Sequence, residues 1–252
     1  MCGQYYIEER FVERLQELLP GLLPIPEDTT AAVNAGDVHP ADAALILTAS
    51  ASAGDARPVP LQAQLLRWGF PLATRRTAGS RESTDRSVTD GQADRGLAAR
   101  RTDRGLASGQ NHRGFTTEQN DRSRSAAEKL VINARAETAA SRPMFRESLR
   151  QRRCIVPASR FYEWDAAKNK VTFWLPENPV LFLAGLYRAG RFVILTTEAN
   201  DSVRPVHDRM PLHIPPHSLN DWLRSAEAAD SLLRRPQPQL RHAQEEEQLS
   251  LF

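Results

Sequence analysis

Cysteine is scarce in this chain, aromatic residues make up 7% of it, and long apolar runs are missing altogether. Two cysteines, Cys2 and Cys154, among 252 residues are too few for a disulfide framework. Neither stands in a CxxC pair or a Cys/His cluster with zinc spacing, so reduced thiols and no structural metal are expected. No stretch of about 18 apolar residues is available to span a bilayer, and MCGQYYIEER has neither the basic flank nor the apolar core of a secretory signal. A soluble cytoplasmic protein with no membrane partner is therefore expected. An excess of one charge is also absent, because 33 Lys+Arg face 31 Asp+Glu for a formal charge of +2. Bulk attraction to nucleic acid is excluded at that value, and any such binding needs a localised basic face.

What charge there is lies unevenly. Residues 74–125 hold 11 Arg, no Lys and 7 acidic residues, with almost no large apolar side chains, and DRGLA occurs at both 94–98 and 103–107. Such a segment cannot bury enough surface to offset its chain entropy, and it reads as a long disordered insertion. Its plain reading is a solvated loop expansion; an Arg-rich tether adding non-specific phosphate contacts is the alternative.

On either side the pattern is that of a folded domain. EERFVERLQELL at 8–19 puts Phe11, Val12, Leu15, Leu18 and Leu19 on one helical face, and Pro20 and Gly21 stop it. A Pro- and Ala-rich loop follows, then the strand patterns DAALILTAS at 42–50 and LQAQLLRWGF at 61–70. After the insertion, LVINARAET, RCIVPASRFYEW, KVTFWL, VLFLAGLY and RFVILTT read as strands. Ser218 is placed to cap a helix, SLNDWLRS, and AEAADSLLRR reads as another, ending before Pro236. The fold expected is α+β, with a single domain over 1–73 and 126–236 and a tail over 237–252.

Cys2 follows the initiator methionine. A small second residue favours Met1 removal, and a chain beginning at Cys2 carries an α-amine beside a thiol. With reference pKa values of ~7.7–8.0 and ~8.5, both groups are partly nucleophilic near neutrality. Such a 1,2-aminothiol can attack one aldehyde carbon twice, first through nitrogen to a Schiff base and then through sulfur to a five-membered thiazolidine. An incidental small residue at a frayed terminus is the bland alternative.

MCGQYY, NARAET at 133–138, PASRFYEW at 157–164 and VHDRMP at 206–211, with RWGFP at 67–71 and RCIVPAS at 153–159, resemble the SRAP (SOS-response-associated peptidase) family. The resemblance runs over nearly the whole chain except the insertion. It implies a strand-rich, barrel-like mixed sheet flanked by helices, and covalent capture of the ring-opened aldehyde of an abasic site in single-stranded DNA by Cys2. It further implies a role in the DNA damage response near the nucleoid, as a monomer, with no metal or organic cofactor. Carried over by motif, Asn133 would hold the N-terminal residue, Glu163 would act as the acid and base, and His207 would serve the sugar as its ring opens. Autoproteolysis, the source of the family's name, would here remove only Met1. Arg135 is the best phosphate ligand, Arg142 and Arg209 are weaker ones that could instead pair with carboxylates, and Trp68 and Trp164 are candidates for stacking on bases. Each has an ordinary alternative, from a strand-end Asn to a core Trp. Cys154 reads as an inert core thiol.

Three positions depart from the family pattern: Gln4 stands where an arginine is common, Arg160 where glycine is common, and GDVHPAD at 36–42 replaces an Asn-Val/Ile-Ala-Pro stretch. Asp37 would be unfavourable near DNA unless paired. The last residues, Gln248, Leu249, Ser250, Leu251 and Phe252, look like the peptide by which bacterial repair proteins dock on the sliding clamp. Two other classes fit the sequence: an N-terminal-nucleophile hydrolase, and a clamp-tethered DNA-binding module without chemistry.

Overall fold

The computed structural model describes residues 2–33, 35–50, 60–72 and 129–244. The expectation for 74–125 and the terminal peptide 248–252 lie outside these. Within one compact unit, five strands close on themselves. They are β3 (Ala43–Ala49), β4 (Leu61–Trp68), β8 (Arg153–Ala158), β11 (Leu181–Arg188) and β12 (Arg191–Glu198), joined in the order β11-β8-β3-β4-β12 with β12 returning to β11. Closure explains the sequence: Leu45, Ile46 and Leu47 in β3, and the whole of β8, are buried, so these strands read as continuous apolar runs rather than alternating ones.

β12 is shared among four partners. Its first half pairs with β11 and, in parallel, with β4; its second half takes up β7 (Asn133–Arg135) in parallel and β13 (Arg209–Pro211) antiparallel. The NARAET and VHDRMP motifs are thus held on opposite edges of one strand. A second sheet runs β14 (Arg241–Gln244), β10 (Lys170–Trp174), β9 (Arg160–Trp164), β1 (Tyr5–Ile7), β2 (Gly36–Val38). Short β5 (Phe70–Pro71) and β6 (Leu130–Val131) pair with each other as a separate ribbon. Gly69, between β4 and β5, has φ +111° and donates its N–H to Phe192 O at 2.7 Å; a Cβ there would meet Leu130 at 3.0 Å, so glycine is required.

Helices pack on the outside: α1 (Phe11–Leu18), α2 (Glu27–Ala32), α3 (Ala136–Ala139), α4 (Arg146–Gln151), α5 (Leu219–Arg224) and α6 (Ala226–Leu233). The α+β, barrel-like expectation holds, with local corrections. Leu18 is exposed, because α1 buries Phe11, Val12 and Leu15 and its exit residue Leu19 turns in instead. Part of the Pro/Ala loop is helical as α2, and AET of NARAET is helical as α3. Ser218 makes no side-chain cap, since a 3-10 turn over Pro216–Ser218 leads directly into α5; Ser225 caps α6, accepting from Ala228 N at 3.0 Å. The folded unit does not stop at 236, for β14 completes the edge of the second sheet against β10.

Candidate active site at the amino-terminal cysteine

β1 is drawn into the second sheet by β9, where Tyr5 lies opposite Phe161 and Tyr162 N donates to Gln4 O at 3.1 Å. That pairing extends the chain's first residues along the FYEW strand. Cys2 has no exposed surface; its Sγ donates to Gln4 O at 3.5 Å, and its carbonyl oxygen accepts from Asn133 Nδ2 at 2.7 Å. Asn133 is fixed by β7, opposite Ile194 of β12. Its Oδ1 is buried with no hydrogen-bond partner among the described residues, so one acceptor stays available beside the cysteine.

Glu163 lies on the inward face of β9 with 1% exposure, and burial, reinforced by the charge of Asp208, pushes its carboxyl up to about 7. Burial and the nearby Glu163 also hold the Cys2 thiol far above its ordinary range. The sequence-based picture of a thiol partly ionised near neutrality is therefore corrected: this thiol keeps its proton unless a neighbouring base removes it. His207 is half-buried, and its Nδ1 accepts the Arg209 N–H at 2.9 Å while standing 2.9 Å from Asp208 Oδ1. Both contacts cannot be hydrogen bonds at once, since one needs a lone pair on Nδ1 and the other a proton. Burial lowers the imidazole's pKa, outweighing the Asp208 charge, and Asp208 is mostly exposed. The neutral ring bonded to the Arg209 N–H is the favoured state.

Cys2, Asn133 and Glu163 are thus brought together, and His207 lies on the loop whose Asp208 acts electrostatically on Glu163. Burial raises the Glu163 carboxyl to about 7 and lowers the His207 imidazole, so the two shifts together favour a protonated acid beside a neutral base. Arg135 is exposed at the end of β7, on a polar groove of about 450 Å³ that Arg204, Asp208 and Arg209 also line. Arg142 is exposed and makes no ion pair among the described residues.

Two assignments change. Arg209 is buried and grips Glu137 with both terminal nitrogens, at 2.8 and 2.9 Å, while also donating to Thr196 O at 2.6 Å. Although burial opposes it, these bonds lower the Glu137 pKa. This guanidinium fastens β13 to α3 across β12. Glu137 was not singled out from sequence, though its place in NARAET was a usable signal. Trp68 has no exposed surface: its Nε1 donates to Ile132 O at 2.9 Å and its ring stacks on Phe192, so it is a core residue with no face open to a base. Trp164 is 38% exposed and keeps such a face. Cys154 is fully buried, with its thiol pushed up by burial, as an inert core thiol should be. Arg160 pairs with Glu8 at 2.6 Å and Asp37 with Lys170 at 3.8 Å, so neither departure from the family pattern leaves an isolated charge.

Fold and site together define a closed mixed barrel that clamps an amino-terminal cysteine beside a buried carboxyl and an imidazole. The chain belongs to the SOS response associated peptidase (SRAP) family, whose model matches residues 99–250, more than half its length. The abasic site processing protein YoaM of Bacillus subtilis (strain 168) is 36% identical over 106 residues, covering 37% of this chain and 47% of that protein. YedK of Escherichia coli (strain K12), of the same description, is 30% identical over 105 residues with 37% and 47% covered. The matched stretch thus spans about half the length of these curated relatives. A solved structure from Bordetella bronchiseptica superposes with a TM-score of 0.60 at 23% identity, covering 96% of this chain and 99% of that one. A phage-related protein of the same organism gives 0.59 at 18%, with 96% and 93% covered. At these identities they speak to the fold alone.

Proposed function

We propose that this protein processes abasic sites in single-stranded DNA by covalent capture through Cys2 once Met1 has been removed, by ordinary methionine removal or by autoproteolysis. The α-amine adds to the open-chain aldehyde carbon, and the carbonyl oxygen takes up protons and leaves as water, giving an imine. The thiol then adds to the same carbon, its proton passing to nitrogen, and a thiazolidine joins protein and sugar. Glu163 accepts the proton shed by the amine and returns one to the departing oxygen, Asn133 orients Cys2, and His207 handles protons at the sugar. Arg135 and Arg142 would hold phosphates, and the exposed edge of Trp164 would meet a base. The observation that carries this reading is the 2.7 Å bond from Asn133 Nδ2 to the Cys2 carbonyl, which fixes the cysteine beside a carboxyl that titrates near 7. Membership of a family with relatives named for abasic site processing supports the substrate.

The test is denaturing electrophoresis of the protein mixed with single-stranded DNA carrying one abasic site. A heat-stable shifted band is expected for the wild type and none for Cys2→Ser, because serine cannot close a sulfur ring. Equal bands for both, or none with Met1 shown to be absent, overturn the proposal. We infer a further partner from the terminal Gln248–Phe252: the sliding clamp, with residues 74–125 acting as an insertion that takes no part in the chemistry. A clamp pull-down retaining the full chain but not one truncated before Gln248 supports it; equal retention defeats it.

A further inference from the structure

Two groups compete for one nitrogen on the VHDRMP loop. His207 Nδ1 accepts the N–H of Arg209 at 2.9 Å and also stands 2.9 Å from Asp208 Oδ1. Each contact selects a different proton arrangement on the ring. Accepting from Arg209 needs a lone pair on Nδ1 and leaves the ring proton on Nε2, whereas bonding to the carboxylate needs the proton on Nδ1. Nε2 is a donor in the first arrangement and an acceptor in the second. An imidazole locked in the first gives a hydrogen bond to a sugar but takes no proton from it at Nε2. The loop backbone fixes both neighbours close to the ring: Ala199 N donates to Asp208 O at 2.9 Å, and His207 N donates to Val203 O at 3.0 Å. The Arg209 guanidinium is committed elsewhere, with both terminal nitrogens on Glu137. Arg204 stands 3.6 Å from Asp201, and Arg135 and Glu198 line the same groove as Asp208.

We propose that Asp208 is a positioning residue for His207: by accepting a hydrogen bond from Nδ1–H it makes Nε2 the base that opens the abasic sugar. The inference rests on the abasic-site reading for the substrate. An abasic sugar is mostly a closed hemiacetal, and only its open form carries the aldehyde that Cys2 captures. In the opening step Nε2 takes the proton of the anomeric hydroxyl, the bond from the anomeric carbon to the ring oxygen breaks as the carbonyl forms, and the imidazolium returns the proton to that oxygen, which becomes a hydroxyl. Protons and electrons balance, and His207 ends as it began. Between the two transfers the ring is positively charged. Burial, the amino-terminal charge and the Arg209 guanidinium all disfavour that state, and the Asp208 carboxylate opposes them. The second arrangement also gives up the bond from the Arg209 N–H, so a charged acceptor is needed where a neutral oxygen would recover less. His207 thus has a resting partner in the Arg209 backbone and a working partner in Asp208, with little movement between them.

The experiment compares two single-stranded oligonucleotides, one with a natural abasic site and one with an acyclic aldehyde in its place, which has no ring to open. Adduct rates are read by denaturing electrophoresis for the full chain as wild type, D208N and D208E, with NMR titration of the His207 ring nitrogens and thermal melts to confirm folding. D208N is expected to slow capture of the natural site by about tenfold or more while capturing the acyclic aldehyde at nearly the wild-type rate. Its His207 should titrate lower and hold more of the Nε2–H tautomer, and D208E should recover most of the rate. Undamaged strands should bind D208N as well as the wild type or better, because a negative charge has left the groove, which puts the loss in the chemical step. A folded D208N with the wild-type rate on the natural site, or with an unaltered His207 titration, overturns the proposal. So does an equal loss on both oligonucleotides, which would place the effect at Glu163, whose carboxyl the Asp208 charge also influences. A wild type that captures neither aldehyde overturns the abasic-site reading and this proposal with it; the other results bear on Asp208 alone.

Discussion

Glu163 is the side chain of the candidate site whose carboxyl is pushed well away from its reference behaviour while remaining titratable in an ordinary pH range. Its carboxyl is held at about 7 against an ordinary 4.5, chiefly by burial, so between these values the folded protein binds a proton that the unfolded chain releases. Stability from this group is complete below 4.5 and is lost as pH rises through 7. A shift of this size corresponds to roughly 3 kcal/mol. Urea denaturation should therefore show the wild type losing stability between about pH 5 and pH 8, and Glu163→Gln losing much less over that interval. The same variant should slow adduct formation by about 10²-fold or more near pH 6.5, where general acid–base catalysis is removed. Normal adduct rates in a folded Glu163→Gln would take the acid–base role away. At this scale the motifs were informative about Cys2, Asn133 and Glu163 because each motif residue is tied to a backbone position. They could not separate Trp68 from Trp164, since an indole in a motif reads the same whether it faces the core or solvent; only the closure of β4 against β12 decides it.

Among the elements, α4 and α5 end on a shared cation. Arg153, at the start of β8 and 5% exposed, donates from Nη1 to the carbonyls of Leu149 and Arg150, at 2.7 and 2.8 Å, and from Nη2 to Leu223 O at 3.2 Å. Its Nε donates to Trp222 O, while Trp222 Nε1 returns a bond to Cys154 O at 2.9 Å. One planar fork thus satisfies the terminal carbonyls of two helices, where a positive charge also suits the helix dipoles. Lysine has the charge without the fork. Arg153→Lys is expected to cost about 2 kcal/mol in urea unfolding, with adduct formation at about 25 °C unaltered; an unchanged midpoint would mean the carbonyls find other donors. The central strands were legible because β-branched and aromatic runs survive burial on both faces. β14 was not, since Arg241–Gln244 is polar throughout and becomes a strand only because β10 has a free edge. α2 and α4 are short helices without strong caps, and little in their sequences distinguishes them from loop.

At the level of the molecule, the carboxy-terminal segment is a strap across the loop that leads to His207. Asn200 Nδ2 donates to Gln237 O at 3.2 Å and to Pro238 O at 2.7 Å, Gln237 Oε1 accepts from His213 N at 2.7 Å, and Leu240 N donates to Ser202 Oγ at 3.0 Å. Leu240 enters the core, and β14 then covers β10, the neighbour of the strand that carries Glu163. The loop before VHDRMP is therefore held by residues that a reading of composition assigns to a tail. A chain ending at Pro236 gives up these bonds, the buried leucine and one strand, a loss of about 3–5 kcal/mol at ordinary values for each. A chain ending at Gln244 keeps all of them and loses Glu245, Glu246, Glu247 and the clamp-like peptide. Thermal melts and the adduct gel separate the two: the shorter chain should melt lower and crosslink poorly, whereas the longer should match the full chain in both and fail only in the clamp pull-down. If both truncations melt and crosslink like the full chain, the strap has no part in holding the site, and the position of His207 must be set by the bonds within its own loop and by Arg209 with Glu137.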